Sequence, residues 1–372
     1  MNKVLLVIHT PPPYGGGEVQ AQNLKNYFKD KPNYHIYDYS SKNKTRSDWS
    51  RVKLKVIFKG VVWILKVIYL IIKINPDIIY FTLPKSFAAF IRNISIIPVA
   101  KMWNVKIYGE LPGSSFPFLE KHNTLKRRLS LFFLNSIDDI RFLSPRIAEY
   151  HRNQHGITNS SVILNGIQMP QNFSLDEKSI YKENLSLIYI GSLEFSKGLF
   201  NSIQAIKLCK DQNLTVHLNL VGDWCYKSEK ETIFNYINEY KLDNLITFHG
   251  TLIGQDKWDL FRTCAVLVHP TYWDGVPLTI LESLGLGIPV ISTETGGIPD
   301  TIEHMENGLI LKENTPKKIF EALKYLNENR NVILRMSNNN KRLFEKRYEV
   351  SIFLKRMEDW FQEKSETNSN LH

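Results

Sequence analysis

Short apolar runs alternate with longer amphipathic segments along most of the chain, and the alternation predicts strands followed by helices. In the first half, residues 3–9, 34–39, 78–81, 105–109 and 140–143 read as strands. Residues 187–190, 214–221, 246–249, 264–269 and 289–292 repeat the pattern in the second half. Runs that are apolar on successive residues suit strands covered on both faces, as in a parallel sheet. Helices are expected through Val19, Leu24 and Phe28, over 86–100, up to Lys210, over 257–263 and from Pro277 to near Gly285 or Gly287. Another runs over 316–327, and a last helical region reaches about Trp360. A chain of 372 residues has room for two domains with separate cores, so the expectation is an α/β protein with two doubly wound sheets.

Two helical stretches break the ordinary pattern. Residues 51–74, RVKLKVIFKGVVWILKVIYLIIKI, place Arg51, Lys55, Lys59, Lys66 and Lys73 in one narrow stripe at ~100° per residue. Only Lys53 and Gly60 interrupt the rest of that surface. The lysines leave no charge-free run near the ~18–20 residues of a membrane span, so protein, lipid or both must cover the helix. Residues 120–134, EKHNTLKRRLSLFFL, put Leu125, Leu129, Phe132 and Phe133 on one face and Lys121, Arg127 and Arg128 away from it. That is a surface helix packed by its apolar side, or a basic face for an anionic surface. The opening residues 1–8 read as a first strand, too short for a signal peptide.

Composition narrows the classes. The content is 43% hydrophobic and 23% charged, as in a globular protein. Cys209, Cys225 and Cys264 are unclustered; they make no metal-ligand spacing and point to a reducing compartment. The net charge of +10 suits nucleic acid, an anionic membrane or a phosphorylated substrate. No nucleic-acid-binding motif accompanies it, which leaves the last two.

Candidate chemistry gathers in residues 264–300. Asp274 precedes a helix and Glu282 lies inside it, eight positions on. Between them the N–H groups of Gly275, Val276, Leu278 and Thr279 stand at a helix N-terminus, where an anion is favoured. Such a site suits a nucleotide-diphosphate sugar: phosphate at the helix end, ribose on one carboxylate and sugar hydroxyls on the other. The plainer reading is a solvated acid on a surface helix. After the first strand, the run Gly15-Gly16-Gly17 lets backbone amides approach a phosphate, or is simply a turn.

The acid at 274, seven residues, Glu282 and then Gly287-Ile288-Pro289-Val290 resemble the donor site of retaining family 4 glycosyltransferases, with Asp274 where glutamate is usual. Gly191-Ser192-Leu193, with the later Lys197-Gly198, resembles the family's Gly-Arg-Leu and Lys-Gly elements, with Ser192 replacing the arginine. The resemblance implies that Lys197 clamps the leaving diphosphate and that Gly250-Thr251-Leu252 borders the base. It also implies that Gly16 and Gly17 contact the diphosphate from the other domain. Gly191, Ser192, Gly222, Asp274, Gly275, Val276, Pro277, Leu278, Thr279 and Glu282 complete the expected donor set. The 110–116 loop resembles the acceptor loop, where Pro112 stands at a position commonly histidine, so Glu110 is the substitute acid/base candidate beside Lys197, Asp274 and Glu282.

The implied fold is GT-B, two Rossmann-like doubly wound domains facing across a cleft. The expected boundaries are 1–168, 169–345 and a helix over 346–372 crossing back to the first domain, with 167–184 as linker. The implied reaction moves a sugar, with retained configuration, from a nucleotide-sugar to a hydroxyl of a sugar or lipid-linked saccharide. No metal or cofactor and no nucleic-acid partner are expected. The setting would be bacterial surface polysaccharide or glycolipid assembly, on the cytoplasmic face of an anionic membrane. An epimerase or phosphorylase on the same architecture, or a non-catalytic nucleotide-sugar-binding protein, is the alternative.

Overall fold

The computed structural model describes residues 1–12, 14–40, 54–83, 86–116, 119, 124–170, 175–177, 180, 181 and 183–362. It divides into two compact units, residues 1–166 with 350–372, and residues 167–349.

The first unit runs β1 (Val4–Ile8), α1 (Gly16–Phe28), β2 (Tyr34–Asp38), α2 (Leu54–Ile74), β3 (Ile78–Thr82), α3 (Phe87–Ile94) and α4 (Ile97–Met102). It continues through β4 (Lys106–Glu110), α5 (Thr124–Asn135), β5 (Asp139–Phe142), α6 (Pro145–His155) and β6 (Ser160–Val162). All six strands are parallel, in the order β2-β1-β3-β4-β5-β6. Every residue of β1 is buried, which is why its sequence is apolar without alternation. The helix expected over 86–100 is two helices. Pro98 has no N–H to give the carbonyl of Ile94, so the chain breaks and restarts with the proline in the first turn of α4.

The second unit runs β7 (Leu185–Ile190), α7 (Leu199–Asp211), β8 (Val216–Val221), α8 (Lys227–Glu239), β9 (Ile246–Gly250), α9 (Gly254–Phe261) and β10 (Val266–His269). Then come α10 (Leu278–Leu286), β11 (Val290–Thr293), β12 (Gly308–Leu311), α11 (Pro316–Glu328) and α12 (Arg330–Arg347). The sheet is again parallel, ordered β12-β11-β10-β7-β8-β9. Neither α8 nor β12 is among the elements expected from the sequence. Helix α8 buries only a narrow stripe through Ile233 and Ile237, so its sequence looks polar.

The last helix, α13 (Val350–Gln362), belongs to the first unit. Phe353, Met357, Trp360 and Phe361 are buried with Val4, Leu6, Leu24, Phe28, Ile78 and Tyr80. Trp360 Nε1 donates to Asp139 Oδ2 at 2.7 Å, so the indole is satisfied as well as buried.

Helix α2 is amphipathic in an unusual sense. Trp63, Val67 and Ile71 point into the unit, while Phe58, Val61, Val62, Leu65, Tyr69 and Ile72 form an exposed apolar stripe about half a turn away. Lys59, Lys66 and Lys73 are exposed along one side of that stripe. Arg51 and Lys53 lie outside the described residues. Helix α5 departs from expectation: Ser130, Phe133 and Leu134 are buried, whereas Leu125, Leu129 and Phe132 are exposed beside exposed Lys126, Arg127 and Arg128. The face that packs is thus not the whole apolar face. Lys121 lies outside the described residues. No helix among the described residues is long and apolar enough to cross a membrane.

Because Phe361 is fully buried between α1 and the sheet, Phe361→Ala should destabilise the first unit by about 3–5 kcal/mol. Urea denaturation of the full chain followed by circular dichroism measures this, and an unchanged midpoint would show that α13 is not part of that core.

Candidate functional site

In the second unit the connections leave β7 and β10 in opposite directions, because β7 is followed by β8 on one side and β10 by β11 on the other. Adjacent parallel strands of this kind open a crevice at their carboxyl ends. The candidate residues converge there. After β7, a single 3-10 turn over Phe195–Lys197 brings Lys197 back over the strand end. After β10, residues 270–277 form a loop that carries Asp274.

Lys197 Nζ donates to Asp274 Oδ2 and to the Trp273 carbonyl, each at 2.7 Å. The other carboxylate oxygen, Oδ1, accepts the Gly275 N–H at 2.9 Å. His269 closes β10 and is buried, with Nε2 3.8 Å from Asp274 Oδ2. That distance is too long for a hydrogen bond, so the lysine is the closer partner. Burial alone would push the Asp274 carboxyl up. The His269 ring and the Lys197 ammonium outweigh it and bring the carboxyl down to about 2. Asp274 is therefore a carboxylate throughout the neutral range.

Two glycines make the loops fit. Gly198 has φ +74°, and a Cβ there would lie 1.9 Å from the Pro270 carbonyl oxygen. Gly296 has φ +53°, and a Cβ there would lie 1.9 Å from the Asp274 carbonyl oxygen. The Gly297 N–H donates to the Gly275 carbonyl at 2.8 Å, tying the loop after β11 to the Asp274 loop.

Pro277 is the residue just before α10, one position earlier than expected, and Leu278 opens the helix. Leu278 and Thr279 are half-buried in its first turn, and their amides precede the first helical hydrogen bonds, which run from the Ile280 and Leu281 N–H groups to the Pro277 carbonyl. Glu282 lies about one turn inside. Its Oε1 receives Lys257 Nζ of α9 at 2.7 Å, and its Oε2 is buried with no hydrogen-bond partner. Burial pushes the Glu282 carboxyl up, and Lys257 works against that shift. Sequence reasoning missed both His269 and Lys257. The first left a trace, a polar residue closing the apolar run CAVLVH. The second left none, since Lys257 is one of many lysines and meets Glu282 only through the fold.

The remaining expected donor residues lie at neighbouring strand ends. Gly191 and Ser192 follow β7, with the Tyr189 hydroxyl donating to the Ser192 carbonyl at 2.9 Å. Gly222 follows β8 and its N–H donates to the Gly250 carbonyl at 2.9 Å; Gly250 ends β9, with Thr251 and Leu252 next. Gly275 and Val276 are buried in the loop before α10.

Gly16 and Gly17 begin α1 in the first unit, and a Cβ on Gly17 would meet Pro112 at 3.8 Å, so the glycine run and the 110–116 loop adjoin there. Glu110 does not stand as an available acid/base. It is 3% exposed, and its Oε2 receives Arg141 Nη1 at 2.6 Å together with the Tyr80 hydroxyl. A carboxylate buried and doubly bonded in this way is a structural anion. The loop does touch a histidine: His151 Nε2 lies 3.2 Å from the Ser114 carbonyl. That ring is buried against Phe142, and burial, with nearby His155, lowers it to about 4.

Residues 171–343, nearly all of the second unit, match the family described as glycosyl transferases group 1. The second unit is a group 1 glycosyl transferase domain. Curated relatives include the amylovoran biosynthesis glycosyltransferase AmsK of Erwinia amylovora, 23% identical over 165 residues, 43% of this chain and 40% of that protein. The capsular polysaccharide biosynthesis glycosyltransferase CapM of Staphylococcus aureus is 24% identical over 204 residues, 53% of this chain and 52% of that protein. The matches span between about a third and about half of the length of such relatives. Among solved structures, Anabaena HepE in complex with UDP and glucose is similar with TM-score 0.73 and 17% identity, over 97% of this chain and 99% of that one. At that identity the likeness establishes the fold. The fold class is GT-B, two Rossmann-like units in one chain, and the Lys197–Asp274 pair lies within its glycosyl transferase domain.

Gly296→Ala would force a methyl into the Asp274 carbonyl and impose a left-handed conformation on a residue with a Cβ. A loss of about 2 kcal/mol or more is expected for the second unit, read by urea denaturation. Wild-type stability in that variant would mean that the two loops are free to part.

Proposed function

We propose that this protein is a retaining glycosyltransferase that moves a sugar from a nucleotide-diphosphate donor to a hydroxyl of a saccharide or lipid-linked saccharide. The observation that carries this reading is the Lys197–Asp274 pair, set at the switch point of the glycosyl transferase domain beside the N-terminus of α10. Lys197 supplies a fixed positive charge, and the first-turn amides of α10 supply dipoles, where a leaving diphosphate would gain charge. Asp274, held ionised, accepts hydrogen bonds from hydroxyls of the transferred sugar, and Glu282 accepts from the ribose. The bond from the anomeric carbon to the diphosphate oxygen breaks while the acceptor oxygen bonds on the same face. The acceptor proton passes to the departing phosphate oxygen. The protein then mainly positions two substrates and stabilises charge.

The reading is metal-independent, since Lys197 and the helix amides take the part a cation would otherwise play. Excess chelator should leave turnover unchanged. The relatives named for amylovoran and capsular polysaccharide biosynthesis support a place in bacterial surface polysaccharide or glycolipid assembly. HepE's complex with UDP makes uracil the first base to try.

A thermal-shift screen over UDP-, GDP- and ADP-sugars, followed by assay of released nucleoside diphosphate, tests the reading directly. In the active combination Lys197→Ala should lower turnover about 100- to 1,000-fold, an effect of about 3–4 kcal/mol. Full turnover in that variant would remove Lys197 from the leaving-group site. Binding of a nucleotide-sugar without hydrolysis or transfer would favour a non-catalytic binding protein.

The exposed stripe of α2 suits the surface of an anionic membrane on the cytoplasmic side. Six apolar side chains from Phe58 to Ile72 face outward with Lys59, Lys66 and Lys73 beside them, the pairing of apolar and cationic groups that lipid headgroups and acyl chains match. The basic, partly apolar face of α5 is of the same kind. Each lysine near such a surface contributes ~1 kcal/mol. Replacing Lys59, Lys66 and Lys73 by glutamate should abolish sedimentation with vesicles rich in phosphatidylglycerol at low salt and leave nucleotide binding intact. If the wild-type protein stays in the supernatant, the α2 stripe does not serve as a lipid-docking face.

A further inference from the structure

Glu282 is one of two carboxylates assigned to the donor, yet its surroundings differ from those of Asp274. Its side chain is only 15% exposed, and the ammonium that meets it comes from a different helix, α9. Lys257 is itself 18% exposed and sits 4.1 Å above the ring of Trp258, so its head is held from two sides. Only one carboxylate oxygen is used: Oε1 takes the lysine at 2.7 Å, and buried Oε2 has no partner.

We infer that Lys257 is a positioning residue for the donor, fixing Glu282 as a charged, oriented acceptor for the ribose hydroxyls. The inference rests on the donor-site reading of the second unit given above. Each carboxylate oxygen can accept two hydrogen bonds, so Oε1 can take a hydroxyl beside the ammonium, and the whole capacity of Oε2 is unspent. An ionised carboxylate accepts at both oxygens, whereas a protonated one turns one oxygen into a donor. The field that keeps Glu282 ionised comes from Lys257; burial pulls the other way. Without the lysine, Glu282 would take up a proton nearer neutrality, and its side chain would lose the contact that aims it. Asp274 has its own lysine, Lys197, so the two carboxylates are served separately.

Two measurements on the full chain test this. In nucleotide-free protein, a carbon-13 carboxyl titration of Glu282, assigned by its loss in Glu282→Gln, should move upward by about one pH unit or more in Lys257→Met. In calorimetry with UDP-, GDP- and ADP-glucose, whose diphosphate carries no group titrating between pH 6 and pH 8, wild-type affinity should be nearly the same at both. Lys257→Met should bind the preferred nucleotide about tenfold more weakly at pH 6 than at pH 8, and Lys257→Arg should restore the flat profile. A titration midpoint and a pH profile both unchanged in Lys257→Met would overturn the inference. A shifted midpoint with unchanged nucleotide affinity would show an ion pair with no part in positioning. Wild-type protein that binds none of the three nucleotides would remove the donor-site reading itself, and the role of Lys257 toward ribose with it.

Discussion

A carboxylate in a crevice between parallel strands needs a cation, and the ion pair of Asp274 with Lys197 answers that need at the point where the second sheet changes direction. Taking either charge out of water costs several kcal/mol unless the other is in place. The surrounding backbone is shaped to allow the pair. Gly198 lets the turn bearing Lys197 lie against Pro270, and Gly296 lets the loop after β11 lie against Asp274. The lysine also holds the Trp273 carbonyl, so the loop before α10 is tied at its backbone as well as its side chain. With that loop fixed, the first turn of α10 is fixed too, and its amides present a standing positive end.

The two acids of the motif consequently face opposite electrostatic problems. Asp274 accepts from a backbone amide, and its nearby imidazole and lysine overcome burial. Glu282 has one lysine and one idle oxygen, and burial holds its carboxyl above the usual value in spite of that lysine. A single helix thus carries at its entrance a carboxylate that is fully committed to charge and, a turn inside, one that depends on a single partner from another helix. That difference follows from position: the loop can fold amides onto Asp274, whereas a side chain inside a helix meets only what neighbouring helices bring.

Much of this was readable from residues alone, because burial on both faces leaves continuous apolar runs. The strands β1, β3 and β10 are largely such runs, β7 is one after Ser186, and β8 is interrupted by His217 and Asn219; the order strand, loop, helix, strand around Asp274 followed from the run of β10 and that of β11. Pro98 divides a helix that periodicity alone would continue. Three of the four residues on the expected apolar face of α5, Leu125, Leu129 and Phe132, stay outside, because hydrophobicity says what can be buried and not what is. Glu110 looked available because its partners, Tyr80 and Arg141, are each about thirty residues away in sequence. Lys257 and Glu282 are likewise joined only by the packing of two helices.

The buried cluster around Arg141 shows why Glu110 has the role it has. Arg141 is fully buried in β5 and spends its guanidinium on Glu110 at the end of β4, on the Ile163 carbonyl at 3.0 Å and on Asn165 at 2.7 Å. Tyr80 joins from β3 through its hydroxyl, and the ring of Phe353 from α13 lies 4.8 Å from the guanidinium carbon. Three adjacent strands, the segment after β6 and the final helix therefore meet on one cation. Such a cluster adds little net stability compared with well-packed apolar residues, but it punishes any arrangement that leaves one member unpaired. A sheet whose strands could otherwise slide against one another is held in register at its carboxyl edge by that penalty. The same edge carries the Gly15-Gly16-Gly17 run and the 110–116 loop. The carboxylate best placed by sequence to serve as a base is the one the first unit uses to hold that edge in shape.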